Sequence, residues 1–228
     1  MISGMAYFFK RKYHLIYCIF LYLCLSKYRL YMKAKELLLL EAYKLYVSKP
    51  YDHVTFSELE KVSGLSRGAI LYHYKSKELL FNAVIEHFVI GKSSVSALIN
   101  EDCSSLLDFI KKFISGCKSE MQEYRSYGIY NINLAKFHIE FHALSYYNDA
   151  QDIFKKWLEK EQSTWHHILS NAIRNKEIRD DLNLDLFSNM FINLYQGTSF
   201  SGLCRPKGYD IALLEKELIA LYNLIKIG

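Results

Sequence analysis

The stretch VTFSELEKVSGLSRGAILYHYKSKELL, Val54 to Leu80, constrains this chain more than any other. Thr55 followed three residues later by Glu58 is a capping-box pattern, in which the hydroxyl accepts from the N–H three residues on and the carboxylate reaches back. It opens a short helix, Phe56 to Val62, with Phe56, Leu59 and Val62 as its buried edge. Gly64 can take the left-handed conformation that ends a helix, Leu65 plugs inward, and Ser66 caps a second helix from Arg67 to about Tyr74. Ser76 caps another that begins KELLFNAVIEHFVIG. Two helices of about two turns joined by a Gly-containing turn form a helix-turn-helix.

Such a unit docks on DNA by placing the leading end of its second helix against base edges in the major groove. Here that end is Ser66, Arg67, Gly68 and Ala69. The Arg67 guanidinium can bind guanine O6 and N7 together, a contact that discriminates between bases by about 1–3 kcal/mol. Gly68 and Ala69 keep the helix slim. Thr55, Tyr72, His73, Lys75 and Lys77 suit phosphates, which fix register without reading sequence. Lys61, Arg67, Lys75 and Lys77 share a window without acids, bounded by Glu60 and Glu78. That local charge matters more than the formal +5 of the chain, because residues 1–31 carry five Lys/Arg and no Asp or Glu, leaving the rest neutral.

On these residues, Lys33 to Gly91 resembles the DNA-binding domain of the tetracycline-repressor (TetR) family of transcriptional regulators. The resemblance implies that Ser66, Arg67 and Ala69 read bases and that Thr55, Tyr72, His73 and Lys77 hold phosphates. Two positions depart from the family pattern: Pro50 stands where glycine is usual, and Leu71 where an aromatic residue, most often Tyr, is usual.

The expected fold is all-α, since half the residues are hydrophobic and the chain has only two prolines. Three parts are expected: an apolar basic leader over 1–31, the helix-turn-helix DNA-binding domain over 32–91, and a helical regulatory and dimerisation domain over 92–228. The leader's apolar run, Leu15 to Leu25, is shorter than the roughly 20 residues a spanning helix needs, and no small-residue cleavage site follows it. Three readings stand for it: sequence upstream of a start at Met32, a short membrane-associating helix, or a signal peptide. Membrane is an expected partner only if the leader belongs to the native protein. The five cysteines (Cys18, Cys24, Cys103, Cys117, Cys204) show no metal-finger spacing and point to a reducing cytoplasm.

The C-terminal part reads as long helices. Leu106, Phe109, Ile110, Phe113 and Cys117 share one face; Ile153, Trp157, Trp165, Leu169 and Ile173 share another; IRDDLNLDLF turns at Asp180 and Asp181 and restarts near Leu184. Phe187, Phe191 and Leu194, with Leu214, Leu218 and Leu221, form stripes that would serve as monomer core or as a pairing face. The family resemblance implies pairing into a four-helix bundle, a two-fold homodimer on a near-palindromic double-stranded operator. Aromatic and polar residues here, Tyr130, His138, His142, Trp165 and Tyr195, are candidates to line a pocket for an unknown small-molecule effector.

His138 and His142 have a spacing that suits a metal, but no third ligand is identifiable, and no metal or cofactor is expected. No group pairs with a base or oxyanion donor, so an enzyme is not expected. The expectation is therefore a ligand-responsive transcriptional regulator acting as a repressor, against the alternative of a membrane-associated helical signalling or adaptor protein held by the leader.

Overall fold

Pro50 lacks the N–H a helix needs, and the first helix stops before it. Helix α1 runs Ala34–Ser48, and Lys49 leaves it extended at φ −158° and ψ 162°. The computed structural model describes residues 33–90 and 103–227. The leader, with its apolar run and the start at Met32, lies outside the described residues, as do the first residues of the regulatory part, 92–102. A 3-10 turn, Tyr51–His53, leads to α2 (Phe56–Ser63), α3 (Arg67–His73) and α4 (Lys77–Ile85). A π-helical turn, Glu86–Ile90, continues α4.

The DNA-binding part is built on aromatic rings of α1. Tyr43 stacks on Phe88 at 4.1 Å, and Tyr46 meets the edge of Phe81 at 5.0 Å. Leu59, Ile70 and Leu80 from α2, α3 and α4 are fully buried in the same core. Offset and edge-on pairs of this kind add about 0.5–1.5 kcal/mol each beyond their burial.

Five longer helices follow: α5 (Leu106–Ser126), α6 (Ile132–Tyr146), α7 (Ala150–Arg174), α8 (Leu184–Gly202) and α9 (Ile211–Ile225). The α5 face Leu106, Phe109, Ile110, Phe113 and Cys117 is buried, as its spacing predicts. Trp165 of α7 stacks on Phe191 of α8 at 4.7 Å and takes the edge of Phe109 at 5.0 Å. Helix α7 packs on α8, α9 on α5 and α8, and α6 on α1, α7 and α8.

Two long-range ties close this domain. The Glu177 carboxylate accepts from the N–H groups of Leu106 (2.8 Å) and Leu107 (3.1 Å), filling the N-terminus of α5 where a negative charge is favoured. The Arg179 N–H donates to the Ile225 carbonyl and the Ile227 N–H to the Glu177 carbonyl, around an isolated bridge between Ile178 and Lys226. Among the described residues no helix is long and apolar enough to cross a membrane.

The stripes expected to serve as monomer core or as a pairing face are largely covered by their own chain. Phe191, Leu214 and Leu218 are fully buried within one protomer and Leu221 nearly so, while Phe187 and Leu194 are half-buried against the same core. A three-and-four spacing marks the face a helix buries without saying whether its own chain or a copy covers it, and here its own chain does. The outward apolar residues of the two helices are Leu186, Met190 and Phe200 on α8, with Leu213 and Leu224 on α9.

Candidate nucleic-acid interface and cavity

Helices α2 and α3 are held by their own end groups. The Glu58 N–H donates to Thr55 Oγ1 (3.3 Å), and the Thr55 N–H donates to Glu58 Oε2 (3.1 Å). Lys49 forms an ion pair with the same Glu58 carboxylate, which holds that acid below its ordinary value, first through this hydrogen bond. Gly64 sits at φ 72°, a conformation that costs an L side chain roughly 1 kcal/mol or more. Buried Ser63 stitches the turn, donating to the Leu59 carbonyl (2.6 Å) and accepting from the Leu65 N–H (3.2 Å). Ser66 accepts from the Ala69 N–H (3.3 Å) and Ser76 from the Leu79 N–H (3.1 Å).

The outer face of α3 presents Arg67, Gly68, Leu71 and Tyr72, the last 85% exposed. Ser66 and Lys75 flank it, also exposed, whereas Ala69 and His73 are half-buried beside Ile70. Leu71, one of the two departures from the family pattern, thus stands on the exposed face itself. The Arg67 guanidinium lies over the Phe56 ring, 5.2 Å from its centre, and the Arg67 N–H donates to Glu60 Oε1 at 2.6 Å. Glu60 therefore ties the end of α2 to the start of α3 and fills the helix N-terminus. Its spacing of seven residues from Arg67 matches no capping pattern, so no local signal announces it.

Lys77 differs from the expectation of a free phosphate contact. Its ammonium donates to the Tyr51 carbonyl (3.2 Å) and sits 4.2 Å from the centre of the Tyr51 ring. The side chain is part of the joint between α4 and the 3-10 turn.

A cavity of about 480 Å³ opens between α6, α7, α8 and the π turn. Phe88, Phe137, Trp157 and Phe200 supply apolar walls, and Asn133, Lys136, Glu140, Tyr195 and Ser199 supply polar points. Lys136 pairs with Glu120 at 2.6 Å. Burial works against the Lys136 charge, yet Tyr195, Glu120 and Tyr124 around it hold its pKa well above the ordinary lysine value. Glu140 lies one turn further along α6; burial, together with Glu120 and Glu161, raises its carboxyl against the opposing pull of Lys136. Burial likewise raises Tyr195.

Of the five pocket candidates, only Tyr195 lines this cavity. Trp165 is core, and Tyr130 is exposed elsewhere. His138 and His142 lie one face around α6, against the DNA-binding domain: His138 Nδ1–H donates to the Val47 carbonyl at 2.7 Å. Burial and then the neighbouring His138 lower the pKa of His142, despite a hydrogen bond to the Tyr46 backbone. Tyr146 donates to Asp52 Oδ2 at 2.7 Å, and its ring lies 4.7 Å from that of Tyr51. Asn133, Lys136, Phe137 and Glu140 step by three and four, a polar and aromatic face that could have been found in the same segment. A second depression of about 420 Å³, along α7 at His166, His167 and Asp185, is open and largely polar and has no aromatic ring but imidazole.

Residues 38–84 match the family model described as bacterial regulatory proteins, tetR family. The chain is 26% identical over 156 residues to the HTH-type transcriptional regulator YvaF of Bacillus subtilis (strain 168), covering 68% of this chain and 75% of that protein. Its fold is similar to a TetR-family transcriptional regulator from Agrobacterium tumefaciens, with TM-score 0.61 and 13% identity over 85% of this chain and 98% of the other. It is also similar to reduced NemR of E. coli, with TM-score 0.59 and 15% identity over 85% and 97% of the two chains.

Proposed function

We propose, from the premise that this chain belongs to the tetR family of bacterial regulatory proteins, that it works as a homodimeric repressor released from its operator by a small molecule. One observation carries the reading: α6 faces the cavity with Lys136, Phe137 and Glu140, and the DNA-binding domain with His138 and Tyr146. A ligand that repositions α6 acts on α1 and the 3-10 turn, and through them on α3. The switch then consists of the ligand's different affinity for the two positions.

In this reading Arg67, Ser66 and Gly68 meet base edges, Arg67 after leaving the Phe56 ring, while Thr55, Tyr72 and Lys75 meet phosphates. The two subunits pair through the outward faces of α8 and α9. Leu186, Met190, Leu213 and Leu224 are exposed there, Gly197 faces open space, and Asp185 is the only charged residue in α8. Exposed apolar residues on two neighbouring helices are what a copy of the same pair covers.

The test is an electrophoretic shift with DNA flanking the protein's own coding region, in excess unrelated competitor. The expected result is a specific complex with two subunits per site. A dimeric, folded protein that binds every DNA equally would refute a sequence-reading repressor, and a monomer of full affinity would refute the pairing.

A further inference from the structure

Lysines outnumber carboxylates around the cavity between α6, α7, α8 and the π turn. Lys136, Lys156 and Lys160 line it, and Glu140 is the one carboxylate in its lining among the described residues. Lys136 is already engaged: Glu120, which is not part of the lining, holds it at 2.6 Å, and Glu140, one turn along α6, feels its charge. Setting that group aside leaves Lys156 and Lys160. Both are exposed, stand one turn apart on α7, and have no carboxylate partner among the described residues. Their neighbour Lys155, outside the lining, instead has Glu159 at 4.0 Å. Like charges four residues apart on a helix repel, and an anion lying between the two ammonium groups relieves that repulsion.

The rest of the mouth is apolar. Phe137 of α6 is 46% exposed and Phe200 of α8 is 70% exposed, and both border the cavity. The buried Phe88 and Ile139 continue that surface inward. Rings left in water beside unpaired lysines call for a molecule that is apolar along its length and charged at one end.

We propose that this cavity takes an amphiphilic anion, a small molecule with its apolar body against Phe88, Phe137 and Trp157 and its acidic group at the mouth between Lys156 and Lys160. The inference rests on the effector reading above and adds the class of molecule. Exposure of the two lysines suits a headgroup at the mouth, because an acid held there keeps part of its water and escapes the cost of full burial. Glu140 opposes an anion on the α6 side, which sets the acid toward α7. Ser199 Oγ, buried in the wall with no hydrogen-bond partner among the described residues, offers a polar contact along the body.

The discriminating experiment uses two probes with the same chain and opposite headgroups, dodecanoate and dodecylammonium, each well below the concentration at which it forms micelles. Binding to the full chain is measured by equilibrium dialysis, and tryptophan fluorescence reports where the probe sits. The chain has two tryptophans, of which Trp157 borders the cavity and Trp165 is buried in the core, so the fluorescence change should disappear in Trp157→Phe. The acid should bind at least about tenfold more tightly than the amine. The double variant Lys156→Gln, Lys160→Gln should remove most of that preference, and Lys155→Gln, at an exposed position on the same helix, should keep it. Equal or tighter binding of the amine would overturn the assigned charge and leave the effector reading intact. A preference that survives the double variant, or that Lys155→Gln removes equally well, would overturn the headgroup position. A fluorescence change that persists in Trp157→Phe would place the probe outside the cavity and overturn the proposal. No binding of either probe would overturn it and count against the cavity as an effector site. Release of operator DNA is measured in parallel: acid binding without release upholds the ligand class and removes the release step from the preceding reading.

Discussion

In the helix-turn-helix each helix start is satisfied from within its own neighbourhood, Thr55 by Glu58, Ser66 by Ala69, Ser76 by Leu79, with Glu60 reaching only seven residues to Arg67. Among the later helices the polar partners come from farther along the chain. Glu177 holds α5 across 71 residues, Asn131 donates to the Gly202 carbonyl across the same separation, and Lys136 meets Glu120 from another helix. A reading head built from local contacts keeps its shape when the rest of the protein moves. A helical body tied by distant contacts, and the cavity within it, changes shape whenever its helices slide. The two kinds of construction suit a rigid reader and a deformable sensor, with α6 touching both.

This contrast can be broken most forcefully at Trp165. Trp165→Ala removes the ring shared by α5, α7 and α8 and should cost about 3–5 kcal/mol in urea unfolding, a loss felt throughout the regulatory domain. A cost near that of an exposed substitution would show that the domain does not depend on this long-range core. Arg67→Ala tests the reader: it should reduce discrimination at one base position per half-site by about 1–3 kcal/mol while leaving nonspecific binding nearly intact. Equal weakening on every sequence would make Arg67 a phosphate contact instead.

Thr55→Ala should cost about 1 kcal/mol, and hydrogen exchange should show the loss confined to α2 and its turn. Faster exchange extending into α5 or α8 would contradict the local character of the reader. The smallest effect expected is at the joint between the two regions. The folded pKa of His142 is lowered, so the unfolded state takes up its proton first as pH falls. The stability that the neutral imidazole supports is complete above the ordinary histidine value and declines as pH falls through it toward the folded value. His142→Phe should flatten the stability profile below about pH 6.5, and an unchanged slope would place the titration elsewhere.

The same contrast explains what was legible in the sequence. Thr55, Gly64, Ser66 and Ser76 announce their helix ends because caps and left-handed turns need particular residue types at fixed short spacing. The buried face of α5 was equally plain from periodicity. Periodicity failed at Phe191, Leu214 and Leu218, where a buried stripe within one protomer has the same spacing as a stripe between two. It failed again on α6, where His138 and His142 attracted attention by chemistry, while the cavity lies on the face marked by Lys136, Phe137 and Glu140. Which face of a helix meets a void depends on the packing of α7 and α8, and no local pattern records it. The Glu177 clamp and the Glu60 tie escaped for the same reason.

The resting place of Arg67 on Phe56 bears on how the protein would find its site. A guanidinium sheathed on its own domain's ring is withheld while the protein slides over unrelated DNA, and it extends only where a guanine rewards leaving the ring. On the proposed reading, search and recognition would fall to different side chains, the exposed Lys75 and Tyr72 for travel and Arg67 for arrest. Phe56, which in this arrangement touches no base, would then govern the dwell time on wrong sequences.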